Sequence, residues 1–346
     1  MLRAGEGCGR PGPAGARRRG VLVGMAAAGA VPAGALWAAA SAPSSTGQWL
    51  DRIRGAAANR SYQGTTTYTA GGTVSSSRIA HYCDGRERFE RVEGLDGQVR
   101  RQYRHNDQVV TLWPATRVAV VEQHDVAIDF PALPPAPRHI AEPYELQPAG
   151  VERVCGFAAD VLLFKPVDAH RFAQRLWAER DSGLLLRADT LGAQGEVLET
   201  STFTEVMLAP KPQPESVRAP MKRLEGWKVV RPKVVKTRLD AEGWTLAAQV
   251  PGFEAMGCSR RPLDSSGGGA AADAQTEIVQ AVFCDGLTQV SVFVEPYDAH
   301  RHRPVRQASG ATHTTMSRRG NWWLTVMGEV PMATVALFEA ALERRS

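Results

Sequence analysis

Apolar and polar residues alternate with a period of two along most of this chain, and helical spacing stands out at two places only. The first is near residue 50, where Trp49 and Ile53 lie four apart, Ala56 and Ala57 follow a turn later, and Thr46 sits where a cap is expected. Extended segments then dominate. "SYQGTTTY" (61–68) is rich in Tyr and Thr, and "VVTLW" (109–113) and "RVAVV" (117–121) flank Pro114. Turn signals recur at Gly71-Gly72, Asp84-Gly85, Asp96-Gly97, Asn106-Asp107 and Pro114, the spacing of a meander of short hairpins. After the Pro-rich "FPALPPAPRHIAEPY" (130–144) the pattern resumes in "FAADVLLFKP", "RFAQRLWAER", "GLLLRADTL" and "EVLETSTFTEV". Roughly ten strands with so little helix cannot cover both faces of a flat sheet. The sheet is therefore expected to curl over its own apolar side as an open antiparallel barrel with an apolar groove.

"APKPQPESVRAP" (209–220) carries four prolines in twelve residues, so a semi-rigid linker without helix is expected over 209–222. It divides a first domain, 41–208, from a second, 223–346. The second reads as a smaller antiparallel sheet packed with a helix. Its strands are "LEGWKVVRPKVV", "GWTLAAQVPGF", "IVQAVFCDGLTQVSVFVEP" and "NWWLTVMGEV". Pro331 opens the helix, and Val335, Phe338 and Leu342 form its apolar stripe. The Gly-rich "SRRPLDSSGGGAAADAQT" (259–276) reads as a loop. The fold class is thus mainly β with an α+β second part.

Within the second domain, Asp285-Gly286 predicts a two-residue hairpin turn with Cys284 opposite Leu287, Phe283 opposite Thr288 and Ala281 opposite Val290. That places Val279, Ala281, Phe283, Val290, Val292 and Val294 on one core face and Cys284 on the other. Asp285 is fully used by the turn in this reading. Cys284 as a nucleophile would need a neighbouring base and an oxyanion-binding donor pair, and no histidine lies beside it.

Residues 1–40 resemble a targeting segment: Arg17-Arg18-Arg19, then an Ala/Gly-rich apolar run, then Ala38-Ala39-Ala40. Export with cleavage before Ser41 is expected, by the general or the twin-arginine route, against the alternative of a retained anchor. The precursor carries a net charge of +5, most of it in that segment, so the remaining chain is nearly neutral and a nucleic-acid partner is not expected. Cys83, Cys155, Cys258 and Cys284 remain after cleavage. In an exported protein they are candidate disulfide partners, with Cys258–Cys284 and Cys83–Cys155 the natural pairs and plain thiols the alternative. His300-Arg301-His302 lacks a third ligand signal and reads as a solvated loop. There is no G-x-S-x-G, no P-loop and no G-x-G-x-x-G after a strand, so neither catalysis nor a cofactor is expected. Charge concentrates elsewhere. Arg218, Lys222, Arg223, Lys228, Arg231, Lys233, Lys236 and Arg238 face only Glu225 before Asp240, either as a lysine-protected strand edge or as a docking strip for an acidic partner or anionic headgroups.

Five segments in order, "SYQGTTTY", "RIAHYCDGRERFERVEGLDGQVRRQYRHNDQV", "LLLRADTLGAQGEVLETSTFTEV", "CDGLTQVSVFVEP" and "VMGEVP", resemble the MucB/RseB family of periplasmic sigma-factor regulators. The resemblance runs from about Gln48 to Leu342. It implies a LolA/LolB-like open barrel first, and a second domain that binds the periplasmic part of an RseA/MucA-like membrane anti-sigma factor. It further implies shielding of that factor from proteolysis and release by lipid or lipopolysaccharide. A lipid or lipoprotein carrier without a regulatory partner is the alternative, and a homo-oligomer stays open. Thr66 departs from the family pattern, which has an aromatic after Gly64-Thr65.

Overall fold

Ser45 starts the first helix. Its hydroxyl accepts from the Gln48 N–H at 3.3 Å, so Ser45 and not Thr46 is the cap. The Thr46 hydroxyl instead donates to the Tyr144 carbonyl. Helix α1 (Thr46–Asn59) buries Trp49, Leu50, Ile53, Ala56 and Ala57 along one stripe. The computed structural model describes residues 43, 45–123, 130–136, 143–263 and 277–345. The expected export segment and 264–276 of the Gly-rich stretch lie outside the described residues.

The strands of the first half are β1 (Tyr62–Ala70), β2 (Thr73–Cys83), β3 (Arg88–Gly94), β4 (Arg101–His105), β5 (Gln108–Trp113) and β6 (Val118–Gln123). Then come β7 (Tyr144–Val154), β8 (Phe157–Pro166), β9 (Ala173–Glu179), β10 (Leu185–Leu191) and β11 (Val197–Leu208), followed by helix α2 (Glu215–Lys222) and β12 (Lys228–Val230). The second half holds β13 (Val235–Thr237), β14 (Trp244–Leu246), β15 (Glu254–Pro262), β16 (Glu277–Cys284), β17 (Gln289–Pro296), β18 (Val305–Ser309), β19 (Thr312–Arg319) and β20 (Trp322–Gly328). Helix α3 (Met332–Ala341) and β21 (Leu342–Arg344) close the chain.

Twelve strands form one large sheet in the order β12-β6-β5-β4-β3-β2-β1-β11-β10-β9-β8-β7. Two meanders thus meet at the β1–β11 ladder, and among the described residues β12 and β7 are the two edges of a sheet that does not close on itself. Its two faces are covered at different ends. Ile79 and Tyr82, three apart on β2, point to opposite sides. Ile79 packs with Tyr62, Phe203, Trp177 and Ala56 of α1, whereas Tyr82 packs with Phe89, Tyr103, Leu112 and Val217 of α2. The α1 side, called the inner face below, continues through Ile53, Phe164, Leu176 and Leu185 and is also covered by Leu133. The β1–β11 ladder shifts register at Thr65/Thr66, and next to it a Cβ on Gly64 would stand 2.1 Å from the Glu205 carbonyl oxygen.

Seven strands form the small sheet, β13-β15-β16-β17-β20-β19-β18, antiparallel throughout. Val290, Val292, Val294, Leu324 and Val326 pack on Val335, Phe338 and Leu342, the stripe expected for the last helix. A two-stranded sheet, β14 with β21, ties the end of α3 back.

Residues 259–262, expected to open a loop, instead end β15 and pair with β16. Three further expectations change. The segment expected to be a linker without helix contains α2. Pro214 precedes the first turn, where a missing N–H costs nothing, and full burial of Val217 against the large sheet outweighs the bond that Pro220 cannot make. "LEGWKVVRPKVV" is not a strand of the second half: Lys228–Val230 pairs in parallel with β6, and only Val235 onward joins the small sheet. The hairpin closes on a longer turn, with Cys284 opposite Gln289, Phe283 opposite Val290 and Ala281 opposite Val292. Asp285 Oδ1 accepts from the N–H groups of Leu287 and Thr288, which makes a four-residue connection. The slip is two residues, so every side chain keeps its expected face.

Candidate functional site

The β16–β17 turn is where the two sheets meet. Asp285 is not used up by its turn. While Oδ1 holds the turn, Oδ2 accepts from Arg171 Nε at 2.8 Å and from the Tyr144 hydroxyl at 2.9 Å, and the side chains of Arg171 and Asp285 are both 0% exposed. Arg171, in the β8–β9 connection, also reaches Asp168 and the Pro251 carbonyl, and its guanidinium lies 5.1 Å from the Phe253 ring centre. Every direction of that cation therefore meets an acceptor or a π-face, which is what a charge removed from water requires. Burial and the Asp285 charge together push the Tyr144 hydroxyl well above its ordinary value. Leu287, next in the turn, is buried among Trp49, Ile53 and Leu176 of the large-sheet core.

A second joint lies on β11. Glu199 Oε1 accepts from the N–H groups of Ala311 and Thr312, in the β18–β19 turn, at 2.8 and 3.1 Å. Gly310 has φ +58° and approaches so closely that a Cβ there would stand 2.7 Å from Glu199 Cγ. Thr334 of α3 donates to the His170 carbonyl at 2.8 Å.

The cationic strip runs along the chain that passes from one sheet to the other. Arg218 pairs with Glu87 at 2.7 Å, lies over the Phe89 ring and approaches Glu215, so it meets acids beyond the one counted from sequence. Arg238 is bound to Asp240. Lys222, Arg223, Lys228, Arg231, Lys233 and Lys236 are exposed, Lys228 on the edge strand β12 and Lys236 on the edge strand β13.

An apolar pocket opens at the start of β15, lined by Leu246, Val250, Phe253, Ala255, Phe283 and Phe338, with Gln249 and Glu254 also lining it. Sequence reading did not single it out, because its residues come from three separate segments, 246–255, β16 and α3. The alternation around Phe283 and the stripe at Phe338 were visible, but not that they share a pocket.

The cysteines do not pair: Cys83, Cys155, Cys258 and Cys284 are all free thiols. Cys258 lies opposite Ala281 and packs on the α3 side, while Cys284 lies opposite Glu254 and on the other face, so no bond can join them. Cys155 donates to the Phe203 carbonyl, and Cys83 lies at the end of β2, accepting from Gly85 N–H. Burial raises the Cys284 thiol to about 12 and Cys258 to about 11, which holds both as unreactive thiols. His302 is not solvated as expected. It stacks on Trp323 at 4.6 Å, and its Nδ1 accepts from the Asp298 N–H. Among the described residues no three His, Cys, Asp or Glu side chains group as a metal site.

Comparison with known proteins is consistent along the chain. The family model for the MucB/RseB N-terminal domain matches residues 45–221, and that for the MucB/RseB C-terminal domain matches 238–343. The sigma factor AlgU regulatory protein MucB of Pseudomonas aeruginosa is 29% identical over 300 residues, covering 83% of this chain and 87% of that protein. The sigma-E factor regulatory protein RseB of Haemophilus influenzae is 21% identical over 295 residues, with the same coverage, 83% and 87%. The crystal structure of MucB in complex with MucA(peri) superposes with a TM-score of 0.64 at 25% identity, over 87% of this chain and 100% of that one. Both halves of the chain match in order, and so the chain belongs to the MucB/RseB family.

Proposed function

We propose that this chain is a periplasmic negative regulator of an envelope-stress sigma factor. It binds the periplasmic part of a MucA-like membrane anti-sigma factor, shields it from proteolysis, and lets go when lipid or lipopolysaccharide occupies the large sheet. The observation that carries the reading is the likeness, at a TM-score of 0.64 over 87% of the chain, to MucB bound to MucA(peri). A partner-holding rather than bond-breaking role also agrees with the raised thiols at Cys258 and Cys284. The exposed cations Lys222, Arg223, Lys228, Arg231 and Lys233 form the strip that docks an acidic stretch of the partner. The apolar inner face, lined by Ile53, Phe164, Leu176 and Leu185, supports the lipid-sensing half of the reading.

Titrating the exported chain with the periplasmic segment of its own anti-sigma factor tests the regulator reading. Saturable binding at modest salt is expected, and no binding removes it. Reversing Lys228, Arg231 and Lys233 to Glu should weaken that binding about tenfold and flatten its salt dependence. An unchanged affinity assigns the strip to edge protection alone.

A further inference from the structure

The turn at Asp285–Leu287 belongs to the small sheet but is gripped by α1, by the 133–135 segment and by Tyr144 and Arg171 of the large-sheet region. Arg54 of α1 donates to the Gly286 carbonyl, and its Nε donates to the Pro134 carbonyl at 2.8 Å. Cys284 Sγ lies 3.6 Å from the Pro135 carbonyl oxygen. Tyr144 and Arg171 hold Asp285. Leu287, 6% exposed, fills space beside Trp49, Ile53 and Leu133. Burial of the Arg54 side chain, 16% exposed, means that this donor has little water to fall back on. A helix α1 lifted from the sheet would therefore strip Arg54 from Gly286 and uncover Leu287 in one movement.

We propose that the Asp285–Leu287 turn couples the two sheets: an acyl chain entering beneath α1 withdraws the turn and so weakens the grip of the small-sheet region on its partner. The inference rests on the reading above, in which the large sheet senses lipid and the small-sheet region holds the anti-sigma factor. Two ligands that prefer different positions of one element oppose each other, and each lowers the affinity of the other by the same factor.

Cys284 reports the position of the turn without any substitution, because the thiol is 1% exposed while the turn is seated. The wild-type chain is treated with a maleimide, with and without saturating cis-parinaric acid as a fluorescent acyl probe, and the labelled peptides are quantified. Labelling of Cys284 should accelerate about tenfold or more, with Cys258 unchanged. In the folded Leu287→Ala variant the probe should bind about threefold or more tightly and the partner segment more weakly, and Leu287→Met should restore both. Probe binding without a change in Cys284 labelling overturns the coupling and leaves the regulator reading standing. Leu287→Ala that lowers Tm but moves neither affinity overturns it as well. A chain that binds no probe removes the lipid-sensing reading and this inference together, while partner binding then stands or falls on its own titration.

Discussion

The two sheets bury their apolar faces by different means. In the small sheet one helix covers one face, and the residues that meet alternate strictly along β16, β17 and β20. In the large sheet the two faces are covered at opposite ends by α1 and α2, and polar groups lie buried between the apolar ones, among them His81, Arg104, Asp189 and Glu199. Asp189, 0% exposed, is held by Arg187 and by the Thr200 hydroxyl. The small sheet is thus a local design, whereas the large one depends on plugs that arrive from far along the chain. One of these plugs, Leu287, belongs to the small sheet itself.

The joint should be the most costly place to cut. Asp285→Ala strands the Arg171 cation with no carboxylate at that end, and a loss of about 3–5 kcal/mol is expected in chemical denaturation. A loss below 1 kcal/mol would mean that water reaches the site. Core truncation on either side of the joint should come next. Phe338→Ala, at a position with rings of Phe253 and Phe283 within 5.4 and 5.1 Å, should cost about 3–5 kcal/mol, and Ile53→Ala about 2–5 kcal/mol. If the sheets were independent, each substitution would split the unfolding transition. A single shared transition is expected, since Leu287 sits in the Ile53 cluster.

Gly64→Ala is a smaller probe of the β1–β11 junction. The added methyl meets backbone, not a side chain that can swing away, and a loss of about 1–3 kcal/mol is expected from thermal unfolding. The smallest effect is a pH dependence confined to the large sheet. His81 is buried, stacked on Tyr62 at 5.0 Å, with Nδ1 2.9 Å from the Arg60 carbonyl oxygen. Burial first, and then Arg88 and Arg104, lower its value below the ordinary 6.5. The unfolded chain therefore takes up a proton at a higher pH than the folded one. The His81 contribution is whole above about pH 6.5 and declines as pH falls toward the lowered folded value, by at most about 1.4 kcal/mol per pH unit. His81→Gln should flatten that part of the stability–pH curve, and an identical slope in the variant would assign the dependence to other groups.

Much of this architecture was legible in the residue pattern because it is a matter of neighbours. The apolar stripe of α3, the faces of the β16–β17 hairpin and the meander from Tyr62 to Gln123 follow from spacing along one segment. Even the register error at Asp285 preserved those faces, since a slip of two leaves the pleat unchanged. What was missed has a common cause. Helix α2 forms despite Pro220 inside it because Val217 finds an apolar site on β3 and β4, and propensity weighs less than burial. The expected disulfide between Cys258 and Cys284 fails on side-chain direction, which depends on where the pairing register falls. The candidate joint is the clearest case: nothing near Asp285 announces Arg171 or Tyr144, 114 and 141 residues away.

By itself, then, the sequence determined where most strands of the large sheet and the β16–β17 hairpin fall, which sides of them are apolar, and, through ordered segments, the family; β7, β18 and β19 were not marked by it. Tertiary structure alone decided that one turn of the small sheet plugs the core of the large one, and that four cysteines stay unpaired. The reason is physical. Side-chain direction along a strand or helix is dictated by backbone geometry a few residues long. Which buried charge meets which partner depends on where two separately formed surfaces come to rest.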